Sequence, residues 1–241
     1  MEDTLRTIRG IAFDLEGTLV NVEPAHHRAH LQIARELGLK LTLEQCLRGD
    51  VLPHFIGGPD EVIYQEMLEL AGNPSGVTAA ELLARKKTLY RENLRWATFQ
   101  TRPGWNMVLV KALIQRLEVS IGSLTAKEEA QVLLNRSGLS KLFPRRHIIL
   151  REDVTNPKPT PDVFLKTAER MGISPSAQLV FEDSPRGVQA ALAAGSVAVG
   201  VPVYDRPEVH NALLQAGAFR TYRSWGEVAL LELLAAAQSQ A

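Results

Sequence analysis

The stretch Ile8-Arg9-Gly10-Ile11-Ala12-Phe13-Asp14-Leu15-Glu16-Gly17-Thr18 decides the fold. Its apolar run, residues 8–15, has the length of a buried strand and breaks into acids and a glycine. Residues two apart on a strand share a face, so Asp14 and Glu16 are expected to project together at its C-terminal end. In open α/β sheets ligands bind at that edge, and Gly17 permits a sharp turn there. Taken alone, the hexapeptide from Phe13 to Thr18 reads more readily as two solvated carboxylates in a turn.

Working outward, residues 119–122, 147–150, 178–181 and 197–201 are further apolar runs of strand length. Helix-like segments lie between them, an alternation that predicts βα units around a parallel sheet. Helix starts are signalled by Thr125-Ala126-Lys127-Glu128, which fits a capping box, and by Thr160-Pro161-Asp162 and Ser184-Pro185-Arg186. Gly172 and Gly195 stand where the last two helices should stop. Residues 24–100 differ: helical patterns, no convincing strand, and breaks at Gly57-Gly58-Pro59 and Gly72-Asn73-Pro74-Ser75-Gly76. Thr42 with Gln45 is a candidate cap, and Ala79, Leu83, Tyr90 and Leu94 approximate one helical face. The expected organisation is an α/β core, residues 1–23 and 101–241, interrupted after its first strand by an all-helical domain, residues 24–100. An Ala-rich helix is expected over residues 225–237.

Composition sets the outer bounds. The chain has 241 residues, between one and two domains at roughly 150 residues each. Lys and Arg total 27 and Asp and Glu total 27, which argues against a nucleic-acid footprint. The insertion holds nine cations and nine anions, so charge does not set it apart. Cys46 is the single cysteine, which excludes an internal disulfide framework and fits a reducing compartment. No apolar run approaches the ~18 residues of a membrane helix. Met1-Glu2-Asp3-Thr4 opens acidic without a signal-peptide hydrophobic region. The expectation is a cytoplasmic globular protein with no membrane and no nucleic-acid partner.

Four weak signals carry chemistry. Asp14 and Glu16 end the first strand. Glu182 and Asp183 end the strand Leu179-Val180-Phe181; alone they serve equally as charges at a helix N-terminus. Ser123 follows Val119-Ser120-Ile121-Gly122, where a hydroxyl and free N–H groups can bind an anion, though a plain loop serine is commoner. Lys158 sits between prolines in Asn156-Pro157-Lys158-Pro159-Thr160-Pro161-Asp162, a stiffened loop that would hold an ammonium at a defined point. If the acid pairs converge, two carboxylates ~4 Å apart repel by about 4 kcal/mol at an effective dielectric of 20. Such a site calls for a cation, and oxygen ligands favour magnesium over zinc. Four carboxylates and one lysine give a local formal charge of −3.

The ordered set, acid pair, hydroxyl, lysine and acid pair, each after a different strand, resembles the haloacid dehalogenase superfamily. Within it the chain resembles the β-phosphoglucomutase-like branch with a helical cap. Non-catalytic phrases share the resemblance: Pro24-Ala25-His26-His27-Arg28-Ala29-His30, Lys158-Pro159-Thr160-Pro161-Asp162-Val163-Phe164 and Val180-Phe181-Glu182-Asp183-Ser184-Pro185-Arg186-Gly187. It implies a Rossmann-like core and roles for single residues. Asp14 is the implied nucleophile, forming an aspartyl-phosphate. Glu16 holds the acid/base position, and its carbonyl is an implied magnesium ligand. Ser123 binds the transferring phosphoryl group, and Lys158 balances its charge. Asp14, Glu16, Glu182 and Asp183 form the implied metal set; Thr18, Ser123, Leu124, Lys158 and His26 form the substrate set.

The chain departs from the family pattern twice. Glu16 stands where aspartate is usual, one methylene longer, and a displacement of ~1 Å can cost on the order of a hundredfold in rate. Asn21-Val22-Glu23 replaces the common Asp-Ser-Glu. His26 and His30 are four apart, a metal-binding spacing without an evident third ligand; His26 falls where the branch places a cap histidine. Its companion cap lysine has no sure counterpart, the nearest being Arg85-Lys86, otherwise a solvated charge run. Trp96, Phe99 and Trp105 are read as packing residues. The expected activity is a magnesium-dependent phosphatase of a small phosphorylated metabolite, a sugar phosphate among them. The alternatives are a sugar phosphomutase and a catalytically impaired ligand-binding relative. Oligomeric state is unreadable; a monomer is compatible.

Overall fold

The computed structural model describes residues 7–239; Met1-Glu2-Asp3-Thr4, read above as an acidic opening, lies outside them. Two compact units form, Val22–Thr98 and the remainder of the chain. The first is helical: α1 (Glu23–Glu36), α2 (Leu43–Arg48), α3 (Asp60–Leu70) and α4 (Ala79–Trp96). The second carries the strands β1 (Gly10–Phe13), β2 (Glu118–Gly122), β3 (Ile148–Ile149), β4 (Gln178–Glu182), β5 (Val197–Gly200) and β6 (Arg220–Thr221). Its helices are α5 (Trp105–Ile114), α6 (Lys127–Arg136), α7 (Asp162–Met171), α8 (Pro185–Ala193), α9 (Pro207–Gln215) and α10 (Leu230–Gln238). Among the described residues, no helix is long and apolar enough to cross a membrane.

The six strands form one sheet in the order β3-β2-β1-β4-β5-β6, with every pair parallel. This is the expected α/β class, with β1 near the centre. A strand covered on both faces must be apolar throughout rather than alternating, and Ile11, Ala12 and Phe13 are all fully buried. The sheet order reverses at β1, with β2 on one side and β4 on the other; that switch point opens a crevice at the C-terminal edge. β6 escaped the sequence reading because its two residues, Arg220 and Thr221, sit at the sheet margin with no apolar run.

Phe13 anchors the strand beneath that edge. Its ring stacks on Phe181 of β4 at 5.5 Å and lies 5.9 Å from Trp225. Trp225 donates its indole N–H to the Thr18 carbonyl at 3.0 Å, so the loop after β1 is tied to the aromatic core. Truncating Phe13 to Ala would cost about 3–5 kcal/mol. The helix expected over residues 225–237 begins later, at Leu230. Trp225–Glu227 is a single 3-10 turn, placed by the indole's need for both a core position and a hydrogen-bond acceptor.

Capping follows the sequence only in part. Ser184 caps α8 by accepting from Gly187 N–H, with Pro185 in the first turn, and Thr42 forms a capping box with Gln45 on α2. Thr78 and Glu81 add one on α4. The box expected at Thr125 does not form: α6 starts after Ala126, which makes no side-chain cap. The α7 cap at Thr160 fails too, because its hydroxyl donates to Pro157 O at 2.8 Å. In the helical unit, Ile33, Leu52, Tyr64, Met67 and Leu89 are buried. The buried face of α4 is Leu82, Lys86, Leu89, Tyr90 and Leu94; Tyr90 and Leu94 lie on it as expected, and Ala79 and Leu83 pack against the core partly buried. Trp96 is 83% exposed, against the packing role expected of it, whereas Phe99 and Trp105 are buried.

Candidate active site

The site lies where β1, β2 and β4 end. Asp14 prolongs the β1–β4 ladder by donating its N–H to Phe181 O at 3.0 Å. Lys158 Nζ, itself buried, donates to Asp14 Oδ1 at 2.5 Å, to Glu182 Oε1 at 2.6 Å and to Gly122 O at 3.3 Å. One ammonium thus joins the ends of three adjacent strands. Arg186 on α8 donates to Lys158 O at 2.6 Å and holds that loop. Glu182 Oε2 accepts from the N–H groups of Asp183 and Ser184 at 3.0 and 3.1 Å and from Ser184 Oγ at 2.9 Å. A Cβ on Gly187 would collide with the Glu182 carboxylate, so this glycine makes room for the acid against the first turn of α8.

Asp183 is held from the other side. Thr18, fully buried, donates to its Oδ1 at 3.1 Å. A Cβ on Gly17 would overlap its carboxylate, and Gly17 adopts φ +78°, so both space and backbone conformation call for glycine. Buried Arg102 clamps the same loop: Nη1 donates to Gly17 O at 2.8 Å and Val201 O at 2.5 Å, and Nη2 to Pro202 O at 2.7 Å.

Asp14, Glu182 and Asp183 bring carboxylate oxygens within 4.8 Å of one another. An all-oxygen set suits a hard divalent cation better than zinc. Glu16 lies beyond β1, which ends at Phe13. Its carboxylate accepts from Thr125 Oγ1 at 2.8 Å. Thr125 Oγ1 in turn lies 2.8 Å from Ser123 Oγ. Ser123 is buried and Leu124 half-buried.

The electrostatics follow first from burial and then from an excess of carboxylates over cations. Burial pushes Asp14 from 3.8 up to about 7; Lys158 opposes this, while Glu182 and Glu16 add to it. Burial, then Glu182 and Asp14, push Asp183 well above the usual carboxylate range, against Arg102 and Lys158. Burial works against the charge on Lys158, but Asp14 and Glu182 outweigh it and hold the ammonium above its ordinary value.

The helical unit has its own polar cluster. His26 stacks on Tyr90 with ring centroids 4.2 Å apart. His30 Nδ1 lies 2.9 Å from Tyr64 Oη and its Nε2 lies 3.4 Å from Asp60 Oδ1. Lys86, expected in a solvated run, is buried and donates to Asp60 Oδ2 at 2.7 Å. Arg85 beside it pairs with exposed Glu36 at 2.8 Å. The i, i+4 histidines therefore do not act as a pair: one stacks, the other serves Asp60.

Three residues of the α/β site escaped the sequence reading: Thr125, Arg102 and Arg186. The Ser123-Leu124-Thr125 spacing was a usable signal for the first. Arginines that bond backbone carbonyls leave no spacing to read.

Comparison with known proteins completes the assignment. The profile of the haloacid dehalogenase-like hydrolases matches residues 11–201. Fructose-1-phosphate phosphatase YqaB of Escherichia coli is 31% identical over 192 residues, 80% of this chain and 95% of that one. A phosphorylated carbohydrates phosphatase of Thermotoga maritima is 29% identical over 211 residues, 88% and 92% of the two chains. The structure of a Deinococcus radiodurans HAD family hydrolase with bound phosphate and sodium is similar with a TM-score of 0.73 at 26% identity, covering 96% of this chain and 97% of that one. A candidate β-phosphoglucomutase from T. maritima gives 0.68 at 25% identity, covering 95% and 99%. The chain belongs to the haloacid dehalogenase-like hydrolase family.

Proposed function

We propose that this chain is a magnesium-dependent phosphatase of small phosphorylated metabolites, with sugar phosphates as the substrate class. The observation that carries the reading is the meeting of Asp14, Lys158, Glu182 and Asp183 at the switch point of the sheet. The substrate class is supported by the two relatives named for phosphorylated carbohydrates.

Asp14 is the nucleophile. Its carboxylate attacks phosphorus and the ester P–O bond breaks, leaving an aspartyl-phosphate; splitting the reaction in two is covalent catalysis. Glu16 gives a proton to the departing sugar oxygen, then takes one from the water that hydrolyses the phosphoenzyme. Lys158 fixes the Asp14 carboxylate and offsets charge on the transferring group. Ser123 and the Leu124 N–H bind its oxygens, and Thr18 orients Asp183. Asp14, Asp183, Glu182 and the Glu16 carbonyl would hold magnesium, which neutralises charge on the phosphoryl oxygens. The helical unit, residues 22–98, corresponds to the family's cap, and His26 is its candidate for substrate contact.

The test is phosphate release from a panel of sugar monophosphates, fructose 1-phosphate included, with magnesium. Turnover of at least one is expected. An isomeric sugar phosphate without phosphate release would replace the reading with a phosphomutase, and no turnover would reject it for a binding protein.

A further inference from the structure

Glu16 is one methylene longer than the aspartate its position usually carries, and the structure shows where the extra length goes. The carboxylate reaches the Thr125 hydroxyl, Oγ1 to Oε1 2.8 Å. Thr125 is buried and is not spent as a helix cap, since Ala126 occupies that position. Its backbone is pinned by Arg151 N–H on Thr125 O at 3.3 Å. A hydroxyl has one proton. With that proton donated to Glu16, the contact of 2.8 Å between Ser123 Oγ and Thr125 Oγ1 runs from Ser123 as donor until a phosphoryl group takes the Ser123 proton. Ser123 Oγ accepts from Thr125 N–H at 3.3 Å. The result is a directed chain, Ser123 to Thr125 to Glu16, that ends on the carboxylate of the acid/base position.

We infer that Thr125 is the positioning residue for Glu16, and that Thr125 and Glu16 form a matched pair in which the threonine hydroxyl holds the longer acid in place for proton transfer. The inference rests on the phosphatase reading above. Atoms balance as there: the Glu16 proton goes to the departing sugar oxygen, and a water proton restores it as the Asp14–phosphorus bond breaks.

The test is steady-state kinetics on the best panel substrate with Thr125→Val, Thr125→Ser, Glu16→Asp and the double variant Glu16→Asp/Thr125→Val. Thr125→Val is expected to lower kcat about ten- to a hundredfold, with KM within about twofold, as expected when the loss falls on transition-state stabilisation and not on substrate binding. Thr125→Ser keeps the hydroxyl and is expected to restore kcat to within about threefold of the natural protein. Aspartate is too short to reach Thr125, so Thr125→Val in the Glu16→Asp background should change kcat by less than about twofold. Unchanged melting midpoints separate positioning from folding. An unchanged kcat in Thr125→Val, or an equal loss in both backgrounds, overturns the inference while turnover that dies in Asp14→Asn leaves the phosphatase reading standing. Turnover that survives Asp14→Asn overturns both.

Discussion

The two units solve the same problem, burying carboxylates, in opposite ways. In the helical unit Asp60 faces two donors, Lys86 at 2.7 Å and His30 at 3.4 Å. Burial works against its charge, but His30 and Lys86 prevail and hold the carboxyl well below the usual range. In the α/β unit Asp14 and Glu182 share Lys158, with the Asp183 carboxylate beside them, and Asp14 and Asp183 are pushed up. The first cluster is electrostatically closed. The second is short of positive charge, the condition that a divalent cation and a charged phosphoryl group with its metal can meet. A closed cluster serves architecture; an open one has a use for a ligand.

Removing each lysine breaks the comparison most forcefully. Lys158→Met leaves the buried carboxylates of Asp14 and Glu182 without their ammonium, and a loss on the order of 3 kcal/mol is expected in urea unfolding of the metal-free protein. Added magnesium should recover part of it. Lys86→Met leaves Asp60 partly exposed and still served by His30, so roughly 1–2 kcal/mol is expected, with no recovery by magnesium. Recovery at both positions, or at neither, would remove the distinction between the clusters.

Replacing acids by amides is a smaller and sharper test. In metal-free protein Asp183→Asn is expected to raise stability by about 1 kcal/mol at pH 8, and Asp60→Asn to lower it by about 1–2 kcal/mol. Their pH windows also differ. Between 3.8 and about 7 the folded Asp14 carboxyl keeps a proton that the unfolded chain has released, so stability falls as pH rises through that window. Asp14→Asn should flatten the slope there. The Asp60 carboxyl is depressed from 3.8, so its contribution is present above 3.8 and is lost as pH falls below it. Slopes of the same sign from both variants would contradict the assignment of the clusters.

The comparison also shows what a sequence can disclose. The sheet was legible because strands buried on both faces must be apolar runs, as at Ile11-Ala12-Phe13, and because acids, a serine and a lysine follow those runs in order. The family was legible from the same motifs. Side-chain destinations were not. Thr125 could have capped α6 or bonded Glu16, and only the folded loop decides. Lys86 stood in a charge run, yet its spacing from Ala79, Leu83 and Tyr90 puts it on the apolar face of α4, where it meets Asp60. Arg102 bonds carbonyls of Gly17, Val201 and Pro202, partners that every residue type possesses.

The most direct measurement is phosphate release from fructose 1-phosphate and the wider sugar-phosphate panel, by the natural protein and Asp14→Asn, each with magnesium and with chelator. The account predicts turnover only for the natural protein with magnesium, and a loss of at least about 10⁴-fold in Asp14→Asn. Release that persists in chelator, or that Asp14→Asn leaves unchanged, would contradict it.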